Sequence, residues 1–91
     1  MKISLEYNYY SIRQIIKKEG EIIRADDGFT LIQLFEILEK KYGEKFRNIL
    51  FDHANSKLNV SVLINGVPIT DIHHTIKNED KVNILARTTS G

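Results

Sequence analysis

Residues 30–43 constrain the fold most, because they carry a helix with both ends written into the sequence. Thr30 followed three residues later by Gln33 makes a capping box. Leu31, Leu34, Phe35, Leu38 and Tyr42 then recur at helical spacing as one apolar stripe. Gly43 sits where a C-terminal cap belongs. A helix of about three turns cannot bury such a stripe alone and must pack on another layer.

The flanking segments supply strands. Lys2 to Tyr7 alternates, with Ile3, Leu5 and Tyr7 on one face. Glu21 to Ala25 reads as a second strand, closed by the turn Asp26-Asp27-Gly28. Leu58, Val60, Val62 and Ile64 alternate with polar residues and Leu63, and Asn65-Gly66 then signals a hairpin, because both turn positions must accept positive φ. Pro68 cannot donate to a ladder, so the strand Val67-Pro68-Ile69 is expected to be short or at an edge. Asn78-Glu79-Asp80 predicts another turn, with Asn78 suited to left-handed geometry. Val82, Ile84 and Ala86 alternate in a last strand.

Two shorter helical pieces complete the pattern. Ser11 is expected to cap a short helix in which Ile12, Ile15 and Ile16 share a side, with Gly20 ending it. Glu44 to Phe51 is expected to turn Phe46, Ile49 and Leu50 inward, before a polar loop from His53 to Lys57. The order is strand, short helix, strand, long helix, hairpin, final strand. It predicts an α+β domain with one main helix packed across a mixed sheet, over residues 1–86. Residues 87–91, Arg87-Thr88-Thr89-Ser90-Gly91, have no apolar anchor and are expected to form a flexible tail.

Composition narrows the function. A chain of 91 residues holds one modest core, which disfavours a deep enclosed active site. A net charge of +1 offers no strong field for nucleic acid or an anionic membrane. The basic pairs Lys17-Lys18 and Lys40-Lys41 are interleaved with acids and read as solvated helix faces. There is no cysteine, so disulfides, thiolate metal sites and cysteine nucleophiles are excluded. No apolar run approaches the roughly 18 residues of a membrane span. Met1-Lys2-Ile3-Ser4 does not look like a signal peptide, so a cytoplasmic location is expected.

Candidate chemical constellations are sparse. His53, His73 and His74 are the only imidazoles; side by side in a strand, His73 and His74 would face opposite ways, and their spacing to Asp52 and Asp71 matches no common zinc pattern. They read as loop histidines, and no metal site is expected. Tyr7, Tyr9 and Tyr10 lack the basic groove of a base-stacking platform and suit a core or a protein interface. No Gly-rich phosphate loop or nucleophile elbow is visible. Leu63 and Leu85 could face outward as an apolar interaction patch.

The opening strand, the capped helix, the Ile64-Asn65-Gly66-Val67 hairpin, the Ile76 to Val82 stretch and the C-terminal Gly91 together resemble the MoaD/ThiS sulfur carriers. The length, the helix-rich first half and the Ser11-Ile12-Arg13-Gln14 segment are more similar to molybdopterin synthase small subunits than to the shorter thiazole carriers. The resemblance implies a β-grasp (ubiquitin-like) fold and a carrier without its own active site. It further implies a terminal carboxylate at Gly91 that is adenylated and then thiocarboxylated, donating sulfur in molybdenum cofactor synthesis. No tightly bound cofactor is implied, since ATP would be consumed by the activating partner. The implied partners are an adenylating enzyme like those that activate ubiquitin and the molybdopterin synthase large subunit, or another sulfur acceptor. Arg87, Thr88, Thr89 and Ser90 would form the segment threaded into those partners.

The chain departs from the pattern twice: Ser90-Gly91 stands where the family has Gly-Gly, and Glu79 where a Gly is common before the last strand. Glycine last lets the backbone approach a reacting phosphate closely, whereas Ser90 restricts φ. Two other readings share the fold. One is a ubiquitin-like modifier joined through Gly91 to lysines of other proteins. The other is an interaction module with no tail chemistry.

Overall fold

The computed structural model describes residues 1–87. Helix α2, Leu31–Tyr42, forms where the stripe predicts it, and both halves of the capping box are made between Thr30 and Gln33. Gly43, with φ at 96°, ends it and opens a second short helix, α3, Glu44–Leu50. Leu31, Leu34, Phe35 and Leu38 of α2 and Phe46 and Leu50 of α3 are buried.

These helices pack on a five-stranded mixed sheet. Its strands are β1 (Lys2–Asn8), β2 (Gly20–Arg24), β5 (Val60–Ile64), β6 (Val67–Ile69) and β7 (Lys81–Ala86), in the order β2-β1-β7-β5-β6. The pairing of β1 with β7 is parallel, from Ser4 opposite Lys81 to Asn8 opposite Leu85. The other pairs are antiparallel. Ile3, Leu5, Tyr7, Val60, Val62, Ile64, Val82 and Ile84 face the helices and are buried, as strict alternation requires. Leu63 and Leu85 lie on the opposite face and are half-buried.

The Asn65-Gly66 hairpin has positive φ at both residues and joins β5 to β6, where Pro68 lies on the sheet edge opposite Leu63. Asn65 also ties the hairpin to β7, its amide donating to the Asp80 carboxylate and its side-chain oxygen accepting from the Lys81 N–H.

Several local expectations are corrected. The first helix, α1, runs from Tyr10 to Ile16 with Tyr9 at its N-cap, so Ser11 lies inside it and caps nothing. It ends at Lys17, which takes left-handed geometry with φ at 63°, and not at Gly20. Lys17 and Lys18 therefore lie past the helix and not on its face. Gly20 instead opens β2 for a steric reason: a Cβ there would run into the Leu5 carbonyl oxygen on β1. The polar loop expected over 53–57 is, at residues 53–56, the turn of a small second sheet, β3 (Phe51–Asp52) with β4 (Lys57–Leu58). Before β7 it is Glu79, with φ at 71°, that takes the left-handed position. Asn78 is engaged elsewhere, its side-chain oxygen accepting from the Lys2 N–H at 2.8 Å.

One polar cluster joins three elements. The Glu21 side chain on β2 is only 7% exposed. It accepts from the Tyr7 hydroxyl of β1 at 2.7 Å and from the Tyr42 hydroxyl of α2 at 2.5 Å, and it pairs with the Lys41 ammonium. Burial alone pushes the Glu21 carboxyl up, but the bonds from Lys41, Tyr42 and Tyr7 outweigh it and hold the group below its ordinary range. Burial and the Glu21 charge push both phenols up.

Candidate functional site

The singled-out C-terminal segment begins where β7 leaves the centre of the sheet. β7 lies between β1 and β5, and its last residue, Ala86, is opposite Val60. Arg87 follows, exposed, with its guanidinium donating to the Leu58 carbonyl at 3.2 Å. This contact ties the end of β7 to β4. Thr88, Thr89, Ser90 and Gly91 lie outside the described residues.

Beside that exit runs an open groove of about 530 Å³ bounded by Lys57, Leu58, Val60, Leu63, Pro68 and Arg87. Its origin is in the register. β6 pairs only with Val62, Leu63 and Ile64, so Val60 and Ser61 have β7 on one side and, among the described residues, no strand on the other. The groove wall is largely apolar, and Lys57 and Arg87 place two cations on it. A short strand at Pro68 and an outward Leu63 are legible in the sequence, but the groove itself is not, because it depends on β6 leaving the start of β5 unpaired.

The histidines are dispersed. His53 packs edge-on against Phe51, with ring centres 4.7 Å apart. His73 and His74 lie between β6 and β7 in a loop, not a strand, and their backbones carry the contacts. The His73 N–H donates to the Asp71 carboxylate, and the His74 carbonyl accepts from the Leu31 N–H at the start of α2. Among the described residues no three His, Cys, Asp or Glu side chains come together as a metal site. The three tyrosines separate: Tyr7 is in the core, Tyr9 is half-buried and Tyr10 is 75% exposed. Among the described residues no helix is long and apolar enough to cross a membrane.

No protein-family model matches the chain, and no curated protein matches it in sequence. Solved structures do match it in shape. A Pyrococcus furiosus protein named as molybdopterin converting factor, subunit 1, superposes with a TM-score of 0.77 at 22% identity, covering 97% of this chain and 99% of that one. Small archaeal modifier protein 1 of Haloferax volcanii also gives 0.77, at 11% identity over 96% of this chain and 98% of that one. One chain of the complex of subunits 1 and 2 of the Helicobacter pylori molybdopterin-converting factor gives 0.63 at 22% identity, covering 100% of this chain and 100% of that one. The likeness to each runs through the whole β-grasp sheet and the helix across it, and in fold this chain is a ubiquitin-like β-grasp protein.

Proposed function

We propose that this chain is a sulfur carrier, acting in the cytoplasm without an active site of its own, whose Gly91 carboxyl group is the cargo-bearing atom group. The observation that carries the reading is the end-to-end likeness to a molybdopterin converting factor subunit 1. The place of β7, at the centre of the sheet and just before the C-terminal segment, supports it. Gly91 stands five residues beyond the end of β7. Five extended residues span about 17 Å, enough to carry a terminus from the sheet into a partner's active site.

The chemistry requires two enzymes. An α-carboxyl group is ionised at neutral pH and is a poor electrophile. In the first step a carboxylate oxygen attacks the α-phosphorus of ATP, held by a separate activating enzyme, and pyrophosphate leaves. A hydrosulfide ion then adds to the acyl carbon and AMP departs, leaving a thiocarboxylate after loss of the proton. That group would donate sulfur in molybdopterin synthesis while the carrier is docked on a large acceptor subunit. The named complex of subunits 1 and 2 is the precedent for such a partner. Arg87 and Lys57, beside the groove at the tail's foot, suit an acidic rim on the partner.

A second reading, that the adenylate is captured by a lysine amine of a target protein, is supported by the likeness to a protein named as a small archaeal modifier, which superposes with the same TM-score. Both readings are tested by intact mass spectrometry. The untreated protein first fixes the residue at which the mature chain ends. Incubation with an activating enzyme, ATP and a sulfur source should then raise the mass by one oxygen-to-sulfur exchange, and removal of Gly91 should abolish the change. Higher-mass conjugates on a blot of tagged protein would select the modifier reading. A mass that never changes, with no conjugates, would overturn both.

A further inference from the structure

The two edges of the sheet are built differently. The β6 edge is three residues long and carries Pro68 at its centre, a common way of blocking strand addition. The β2 edge is longer, contains no proline, and has Ile22 at its middle, 55% exposed. Its backbone is also aimed outward. The Tyr7 N–H donates to the Glu19 carbonyl and the Ala25 N–H to the Met1 carbonyl. With the β1–β2 register, this makes 19, 21, 23 and 25 the residues bonded to β1. Gly20, Ile22 and Arg24 therefore direct their N–H and C=O groups away from the sheet, and among the described residues none of these groups has a backbone partner outside it.

The charges flanking this edge are self-complementary. Exposed Lys17 and Lys18 precede β2, and exposed Asp26 and Asp27 follow it. Lys18 reaches Glu21 only at 4.0 Å and remains half-exposed. An antiparallel pairing of β2 with a second β2, centred on Ile22, places Gly20 opposite Arg24. If continued, it places Lys18 opposite Asp26 and Lys17 opposite Asp27. In this register the outward-pointing residues 20, 22 and 24 face one another as hydrogen-bonded pairs. Because Gly20 has no side chain, Arg24 of the second copy can lie across it toward Glu6, Gly20's exposed neighbour on β1.

We propose that the β2 edge is a self-association surface, on which a second copy of this chain pairs through β2 about a two-fold axis at Ile22 and joins the two sheets into one. Such a contact is isologous: each copy supplies the same strand, the same exposed Ile22, and both a basic and an acidic end. It leaves β6, the groove and the foot of the tail free, because β2 is at the opposite edge of the sheet.

Sedimentation equilibrium of the full chain at low salt, from roughly 10 µM to roughly 1 mM, covers the affinity expected of so small a contact. A dimer should accumulate over that range and weaken as salt is added. Amide signals of Gly20, Ile22 and Arg24 should move with concentration while that of Arg87 does not. Ile22→Lys should weaken association at least about tenfold, and Ile22→Thr, which keeps β-branching, provides a variant that retains the strand. The paired reversals Lys17→Asp with Lys18→Asp, and Asp26→Lys with Asp27→Lys, should each abolish the homodimer. Mixed together, the two variants should form a heterodimer, since opposite charges again meet at both ends. A chain monomeric throughout, association indifferent to Ile22→Lys, or reversed variants that pair no better mixed than alone would each overturn the proposal.

Discussion

Removing the Glu21 side chain leaves the hydroxyls of Tyr7 and Tyr42 without their acceptor at the junction of β1, β2 and α2. Glu21→Ala should therefore lower stability by about 2 kcal/mol, read from chemical denaturation. The pH dependence has a definite sign. The folded Glu21 carboxyl is held below its ordinary value of 4.5. Its contribution is thus fully present above that value and is lost as pH falls through the lower, folded one. Glu21→Gln keeps an acceptor oxygen but no charge, so its melting temperature should fall less steeply than the wild type's on acidification; an equally steep fall in both would remove Glu21 as the source. The cluster was not legible in the sequence. Helical spacing put Tyr42 on the apolar stripe and alternation put Tyr7 on the inner face, but only the packing of α2 over β1 and β2 brings both hydroxyls to one carboxylate. Lys17 misled for a related reason. A lysine in left-handed geometry has no local signature, whereas Gly20 three residues on has the usual one, and Gly20 is needed instead for close approach to Leu5.

Elements with redundant signals were read correctly. α2 has a capping box, a stripe and a terminal glycine that agree, and the β5–β6 hairpin has Asn65-Gly66 between alternating runs. Elements with a single weak signal drifted. α1 begins at Tyr10 with no side-chain cap, and β3 and β4 are two residues each, too short for alternation to register. The turn into β7 is the most testable of these. Glu79 is exposed and takes positive φ, while its N–H donates to the Lys2 carbonyl at 2.7 Å. A glycine keeps that bond and relieves the contact between Cβ and backbone. Glu79→Gly should therefore stabilise the protein by about 1 kcal/mol, seen as a higher denaturant midpoint at unchanged slope. A loss of stability would mean that the Glu79 side chain contributes something its exposure does not suggest.

At the scale of the whole molecule, element order was legible and strand order was not. Local patterns cannot say that the first and last strands lie side by side, because a parallel pair is joined through everything between them. The resemblance to a known carrier family implied a β-grasp fold with a mixed sheet, and the observed sheet bears that out. The central place of β7 makes a sharp prediction. A fragment ending at Asp80 lacks the strand that β1 and β5 share, so it should show neither dispersed amide signals nor a cooperative melt. A folded fragment would show that the remaining strands close a core unaided. During synthesis the same feature sets an order of events. Until Lys81 to Ala86 clear the ribosome, the nascent sheet has two halves and no seam, and its apolar faces wait for the last strand of the sheet to arrive. Substitutions that slow closure of this seam would thus first appear as poor yield during translation, before any loss in the melting temperature of the finished protein.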